Sequence, residues 1–378
     1  MSVEVLDLDL YGLQLAEHDS QPKRKLVGDA SYHDAAFRSQ YDYRTLFYDC
    51  FADELTGDVA LLGPPLLNLE ALIRDADLEV DGRPVAIKSI AHLSRCSVTR
   101  LDCSAGQRLS VRHPLFSGVV PIGTSFVQRL SGLNAIYTIS RNNRLEWIAD
   151  WLRYYVEVHG AEAVILSDNG STDYPPEALR QTLAGIAGLR VAVILRAPYP
   201  FGPRAANSAG YRALFLQRSL AELARIRFLA QARAVVNADI DELFHSHRGR
   251  SIFDATVQSQ EGYVRANAVW VYAAAPPQGE AYRHAEHSHV SLSGSPKANR
   301  KWCVAPQGPM QGKQWLTHFI NDRRDPVDPD FVLWHFRQIT TGWKYDRALP
   351  EIELVRDEGL VKTMQRVFAR ASGARSHA

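Results

Sequence analysis

The chain has 378 residues, of which 46% are apolar and 22% charged, and a net charge of +1. This composition fits an ordinary globular protein, long enough for two domains or for one with a large addition. It lacks the basic footprint of a nucleic-acid binder, and no run approaches the roughly 18 apolar residues of a membrane span. The scattered cysteines, Cys50, Cys96, Cys103 and Cys303, form no CxxC pair, which argues against a zinc site or a disulfide framework. The acidic start, MSVEVLDLDLYG, does not resemble a signal peptide. The expected location is the cytoplasm, with peripheral contact at the inner membrane face and homo-oligomer formation left open.

Residues 1–30 read as a polar arm. Residues 40–130 read as β-rich, and 1–130 is taken as a small β-rich accessory domain. LEVDGRPVAI places two apolar runs around Asp81-Gly82, a type I′ hairpin signal. CSVTRLDCSAGQRLSVRHP alternates apolar and polar residues, predicting two more strands around Ala105-Gly106.

The pattern changes near Leu133, and a second domain is expected over 131–348. AIYTIS (135–140) predicts a strand, and RNNRLEWIADWLRYYVEVHG (141–160) a helix with Leu145, Ile148, Leu152, Tyr155 and Val156 on one face, closed by Gly160. AEAVILSD (161–168) and LRVAVILRA (189–197) predict buried strands. A long helix is expected from Asn207 to Ala232, then a strand over 234–244 that ends in acids. Such alternation is an α/β pattern with a mainly parallel sheet, whose ligands bind beyond the carboxyl ends of the strands. The loops RNN, DNGSTD and DID therefore belong to one crevice. Beyond Glu261 the chain reads as loop-rich, with Trp270, Trp302, Trp315, Trp334 and Trp343. Most of these tryptophans are expected in the core, with one or two at a binding site. A C-terminal helix and tail are expected over 349–378.

Asp239-Ile240-Asp241-Glu242 carries the strongest chemical signal. If the strand continues, Asp239 and Asp241 point the same way and can hold one hard cation of the magnesium or manganese type. Asp168, in Asp168-Asn169-Gly170-Ser171-Thr172-Asp173, is placed to accept from a base or ribose; the same stretch is also a good polar turn. His284, His287 and His289 fit no helix face and read better as loop than as a metal site.

AIYTISRNNRLEWIADWLRYYVEVHGAEAVILSDNGSTD followed by NADIDELF resembles GT-A glycosyltransferases, closest to the family 2-like and family 92-like enzymes. The likeness spans residues 133–347, with Asn143 where that family often has Glu and Leu243 where it often has an aromatic. It implies an α/β fold with a Rossmann-like mixed sheet flanked by helices. It also implies inverting transfer of a sugar from a nucleoside-diphosphate donor, UDP by family habit, to a glycan, glycolipid or other hydroxyl acceptor in polysaccharide or surface-glycan assembly. Arg141, Asn142 and Asp168 resemble the nucleotide-binding positions. Asp239 and Asp241 resemble the ligands of Mn2+ or Mg2+. FVLWHFR resembles a late H-Y-R segment, making His335 the third ligand, with His318 its rival. KWCVAP resembles a K-x-x-x-x-P strand, so Lys301 is expected at phosphate or acceptor; Lys344 is expected at the diphosphate. The general base falls to Asp322, with Asp325 and Glu242 as alternatives. Two other readings stand beside this one. A sugar nucleotidyltransferase would need a glycine-rich phosphate loop that Arg141-Asn142-Asn143 does not supply. A non-catalytic glycan- or nucleotide-binding protein would have lost its acids, which are present.

Overall fold

The computed structural model describes residues 2–18, 20–203, 213–291, 298–321, 327–341 and 353–373. A mixed sheet of 11 strands organises the molecule. Its strands are β1 (Glu4–Asp9), β2 (Asn134–Ser140), β3 (Ala163–Asp168), β4 (Val191–Arg196), β5 (Ala234–Asn237), β6 (Glu242–Ser246), β7 (Tyr263–Tyr272), β8 (His289–Ser291), β9 (Ala298–Val304), β10 (Val327–Phe336) and β11 (Leu354–Arg356). The main path runs β1-β4-β3-β2-β5-β9-β7-β8-β11, and β10 bridges β7 and β6. The first five strands of that path are mutually parallel, whereas β9 and then β7 join antiparallel.

The apolar runs of β2 to β5 are explained by burial on both faces. Alternate side chains go to opposite cores. Ile136, Val164, Ile194 and Val236 enter one cluster, while Tyr137, Ile165, Val193 and Val235 enter the other. The first cluster is covered by helix α1 (Leu145–Tyr154), through Trp147, Ile148, Trp151 and Leu152, and by α2 (Pro176–Ala184), through Leu179 and Leu183. The second is covered by α3 (Phe215–Leu223), with Leu216 and Leu220, and by Tyr48, Phe51, Ala60 and Leu62 from the N-terminal region. The helix expected over 207–232 is thus α3 followed by a π-type turn, Ala224–Leu229; residues 204–212 lie outside the described residues. Helices α4 (Ile252–Gln258) and α5 (Glu358–Gly373) also pack on the first cluster, through Ile252, Phe253, Leu360 and Met364.

Residues 4–9 correct the expectation of a polar arm. EVLDLD forms β1, which extends the sheet beside β4 in the register Glu4↔Val191 to Asp9↔Arg196. Arg196 closes this edge with an ion pair to Asp7. The hairpin at Asp81-Gly82 is present, with φ of 49° and 78°, joining Asp77–Val80 to Arg83–Pro84. The strands Cys96–Leu101 and Arg108–His113 form but do not pair with each other: the first joins Asp58–Gly63 and Ile87–Leu93, the second Asp77–Val80 and Phe116–Pro121. These two small sheets enclose a core of their own, including Leu61, Leu69, Leu78, Val80, Leu109 and Val111. A buried ion pair ties the region to the large sheet's second layer. Arg227 Nη1 lies 2.6 Å from Asp49 Oδ2, and the guanidinium sits near the rings of Phe51, Phe126 and Phe228.

Helix α1 runs directly into a π-type turn, Tyr155–His159, which Gly160 ends at φ 74°. The end of α1 and this turn aim three side chains at the backbone of β6. Tyr154 Oη donates to Phe244 O at 2.8 Å, and Tyr155 Oη donates to Glu242 O at 3.1 Å. His159 Nδ1 accepts the Ile252 N–H at 3.2 Å, so its proton is on Nε2, which donates to Phe244 O at 2.7 Å. The ring is therefore buried and neutral, and burial lowers its pKa to about 4. The unfolded chain takes up a proton near pH 6.5 that the folded chain refuses. Stability present above pH 6.5 should fall as pH drops toward 4, by about 3 kcal/mol from this group. Urea midpoints at pH 7 and pH 4.5 should differ less for His159→Gln than for the wild type; equal shifts would remove His159 from the acid response.

Candidate active site

The sheet order reverses at β2. From β2 the chain moves outward through β3 and β4, then returns to lay β5 on the other side of β2. Such a switch point opens a crevice beyond the carboxyl ends of the two strands. The segment after β2 is Arg141-Asn142-Asn143, and the segment after β5 is the acidic run.

Strand β5 stops at Asn237, earlier than the sequence suggests. Residues 239–242 form a tight turn, closed by Glu242 N–H to Asp239 O at 3.0 Å. Glu242 folds its carboxylate back, and Oε2 accepts the Asp239 N–H at 2.9 Å. Ile240 points inward, and its carbonyl accepts from His284 Nε2 at 2.9 Å. The Asp241 carbonyl takes the Phe336 N–H at 2.8 Å. The Asp239 and Glu242 N–H groups are thus paired within the turn, and the Ile240 and Asp241 carbonyls by His284 and Phe336. The two aspartates therefore sit in a turn and not on a continuing strand. Asp241 is buried, and its Oδ2 lies 3.1 Å from His335 Nε2. Asp239 keeps 31% of its side chain exposed.

Lys301, on β9, sits beneath this turn. Its ammonium lies 3.0 Å from Asp239 Oδ1 and 3.4 Å from Glu242 Oε2, with 1% of the side chain exposed. It is a buried ion-pair partner rather than a residue reaching outward from the surface. Burial alone would lower its pKa, but Asp239 and Glu242 outweigh that and hold the ammonium charged. Glu242 is itself buried, which pushes its pKa up, with Asp239 and Asp241 adding to the effect. Glu242 is thus enclosed in the turn, bonded to the Asp239 N–H and close to Lys301. Trp270 stacks on His335, with ring centroids 3.9 Å apart and 22° between planes.

Across the crevice, Asp168 ends β3 and takes the Ser171 hydroxyl and N–H, which shapes the DNGSTD turn. Asn142 adopts φ 54°, and its Oδ1 accepts the Thr172 N–H at 2.7 Å, locking the two loops together. Arg141 is exposed beside it. His318 Nδ1 faces Arg300 O at 3.0 Å, and burial, with Lys301 nearby, lowers its pKa to about 4. Asp322, Asp325, Lys344 and Trp343 lie outside the described residues. His284 and His287 are buried, His284 against Ile240 and His287 with Nδ1 3.0 Å from Arg283 O. The contribution of His284 to the acidic turn, and of Trp270 to His335, has no signal in local sequence; both depend on which strands become neighbours.

The donor chemistry here, carboxylate oxygens and one imidazole, suits a hard divalent cation. Three carboxylates against one ammonium leave negative charge that such an ion would neutralise. Among the described residues, however, no group of three or more His, Cys, Asp or Glu side chains is already gathered as a metal cage. No helix among them is long and apolar enough to cross a membrane.

No family model matches the chain, and no curated protein is similar to it in sequence. Among solved structures it is matched by the mannosyltransferase Ktr4p from S. cerevisiae, at 11% identity and a TM-score of 0.26. That match takes in 36% of this chain and 39% of the yeast protein. A likeness of this size carries no argument about activity.

Proposed function

We propose that this chain is a metal-dependent glycosyltransferase of the GT-A arrangement, moving a sugar from a nucleoside-diphosphate donor to a hydroxyl acceptor. The observation that supports it most is the placement of the acidic turn and the Asn142–Thr172 loop pair on the carboxyl edge of adjacent parallel strands, at the switch point. In this reading Arg141, Asn142 and Asp168 face the nucleotide. Asp239, Asp241 and His335 hold Mn2+ or Mg2+, which when bound neutralises the charge of the departing diphosphate. Glu242 and His284 fix the turn, and Trp270 fixes the His335 ring. The acceptor is a glycan or glycolipid, and a general base must take its hydroxyl proton.

Calorimetry of UDP with and without Mn2+ tests the donor site. The wild type should bind UDP in a metal-dependent way, and the double variant Asp239→Ala, Asp241→Ala should lose that dependence. If UDP, GDP and CDP all fail to bind the wild type, the chain is not a nucleotide-sugar enzyme and the non-catalytic reading takes its place.

A further inference from the structure

We propose that Lys301 is the resident counter-ion of the acidic turn. Its buried ammonium holds Asp239 and Glu242 in place before any cation arrives, and it makes cation binding depend on the diphosphate of the nucleotide. The inference rests on reading the turn as a cation site.

The placement follows from sheet register. Strands β5 and β9 pair through Val236↔Cys303 and Asn237↔Trp302. Lys301 is the next residue of β9, opposite the point where β5 stops and the turn begins. The side chain is enclosed and already ordered, unlike a surface lysine that snorkels toward water. Asp239, Asp241 and Glu242 are crowded into one four-residue turn and would repel one another without an internal cation. Lys301 reaches two of the three.

This arrangement has a consequence for an incoming metal ion. A bare dication is attracted by the carboxylates but repelled by an ammonium 3.0 Å from Asp239 Oδ1. A dication arriving with a diphosphate brings negative oxygens that offset that repulsion. Metal and nucleotide should therefore strengthen each other's binding, and linkage requires the effect to be reciprocal.

The test is calorimetry of Mn2+, with and without saturating UDP, on the wild type, Lys301→Met and Lys301→Gln, together with thermal melts of each. The wild type should bind Mn2+ about tenfold tighter or more when UDP is present. Lys301→Met should bind Mn2+ alone about tenfold tighter than the wild type, with a smaller gain from UDP. Its melting temperature should be low without Mn2+ and recover with it, which the wild type should show far less. Lys301→Gln carries the same comparison if the Met variant does not fold. Wild-type binding of Mn2+ that requires UDP, joined to uncharged variants that bind Mn2+ alone no tighter, would overturn the counter-ion role and leave the cation site standing. A wild type that binds Mn2+ in neither condition would remove the cation site and this role together.

Discussion

Asp241→Asn should leave the chain folded and lower the proposed sugar transfer at least about a hundredfold, the scale seen when one preorganised electrostatic group is lost from a reaction centre. The substitution is isosteric, and the Asp241 backbone carbonyl, which anchors the turn through the Phe336 N–H, is untouched. What it removes is one buried charge beside His335. Turnover of a panel of UDP-sugars, by transfer or by slow hydrolysis, gives the readout, with melting temperature as the control for folding. Unchanged turnover in the variant would take Asp241 out of the proposed cation site.

Asp49→Ala should destabilise the fold by about 3–5 kcal/mol, because it leaves Arg227 charged and buried without its partner. Both side chains are enclosed: Arg227 is 2% exposed and Asp49 is 0% exposed. Tyr11 N–H also loses its acceptor at Asp49 Oδ1, 3.0 Å away. Arg227 donates from Nε to Thr124 O at 2.9 Å, so its remaining bonds orient a charge that nothing then neutralises. The double replacement Asp49→Leu, Arg227→Met removes both charges and should cost less than the single change, since apolar groups of similar size can replace a buried pair. Urea denaturation of the single and double variants makes the comparison. A single-variant loss below 1 kcal/mol would show that water reaches the pair.

The parts of the fold legible in the sequence are those set by short-range pattern. The runs AIYTIS and AVILSD predict β2 and β3 because burial on both faces demands unbroken apolar stretches. Gly160 marks the end of α1 and its π-type turn because the left-handed conformation there favours glycine. Asp81-Gly82 fixes a hairpin for the same reason. What the sequence does not show is set by distant neighbours. EVLDLD is too polar to read as part of a large sheet, and it becomes a strand because β4 offers an open edge. The run AVVNADIDELF reads as one strand, yet it breaks after Asn237 because Glu242 and His284 supply the turn with partners of its own. Lys301 looks like a surface residue by type, and its burial follows from the two acids, Asp239 and Glu242, that β9 brings it against.

The position of β1 also bears on how the molecule is made. Glu4–Asp9 leaves the ribosome before its partner Val191–Arg196, which follows only after the N-terminal sheets, β2 and β3 have been synthesised. The strand must wait, unpaired, while the segments after it fold around their own core. Parallel pairing across so long a loop is the slow kind, since the loop must close before the contacts can form. Completion of the sheet's edge is thus expected late in folding. Until β1 docks, β4 presents an open edge to other nascent chains.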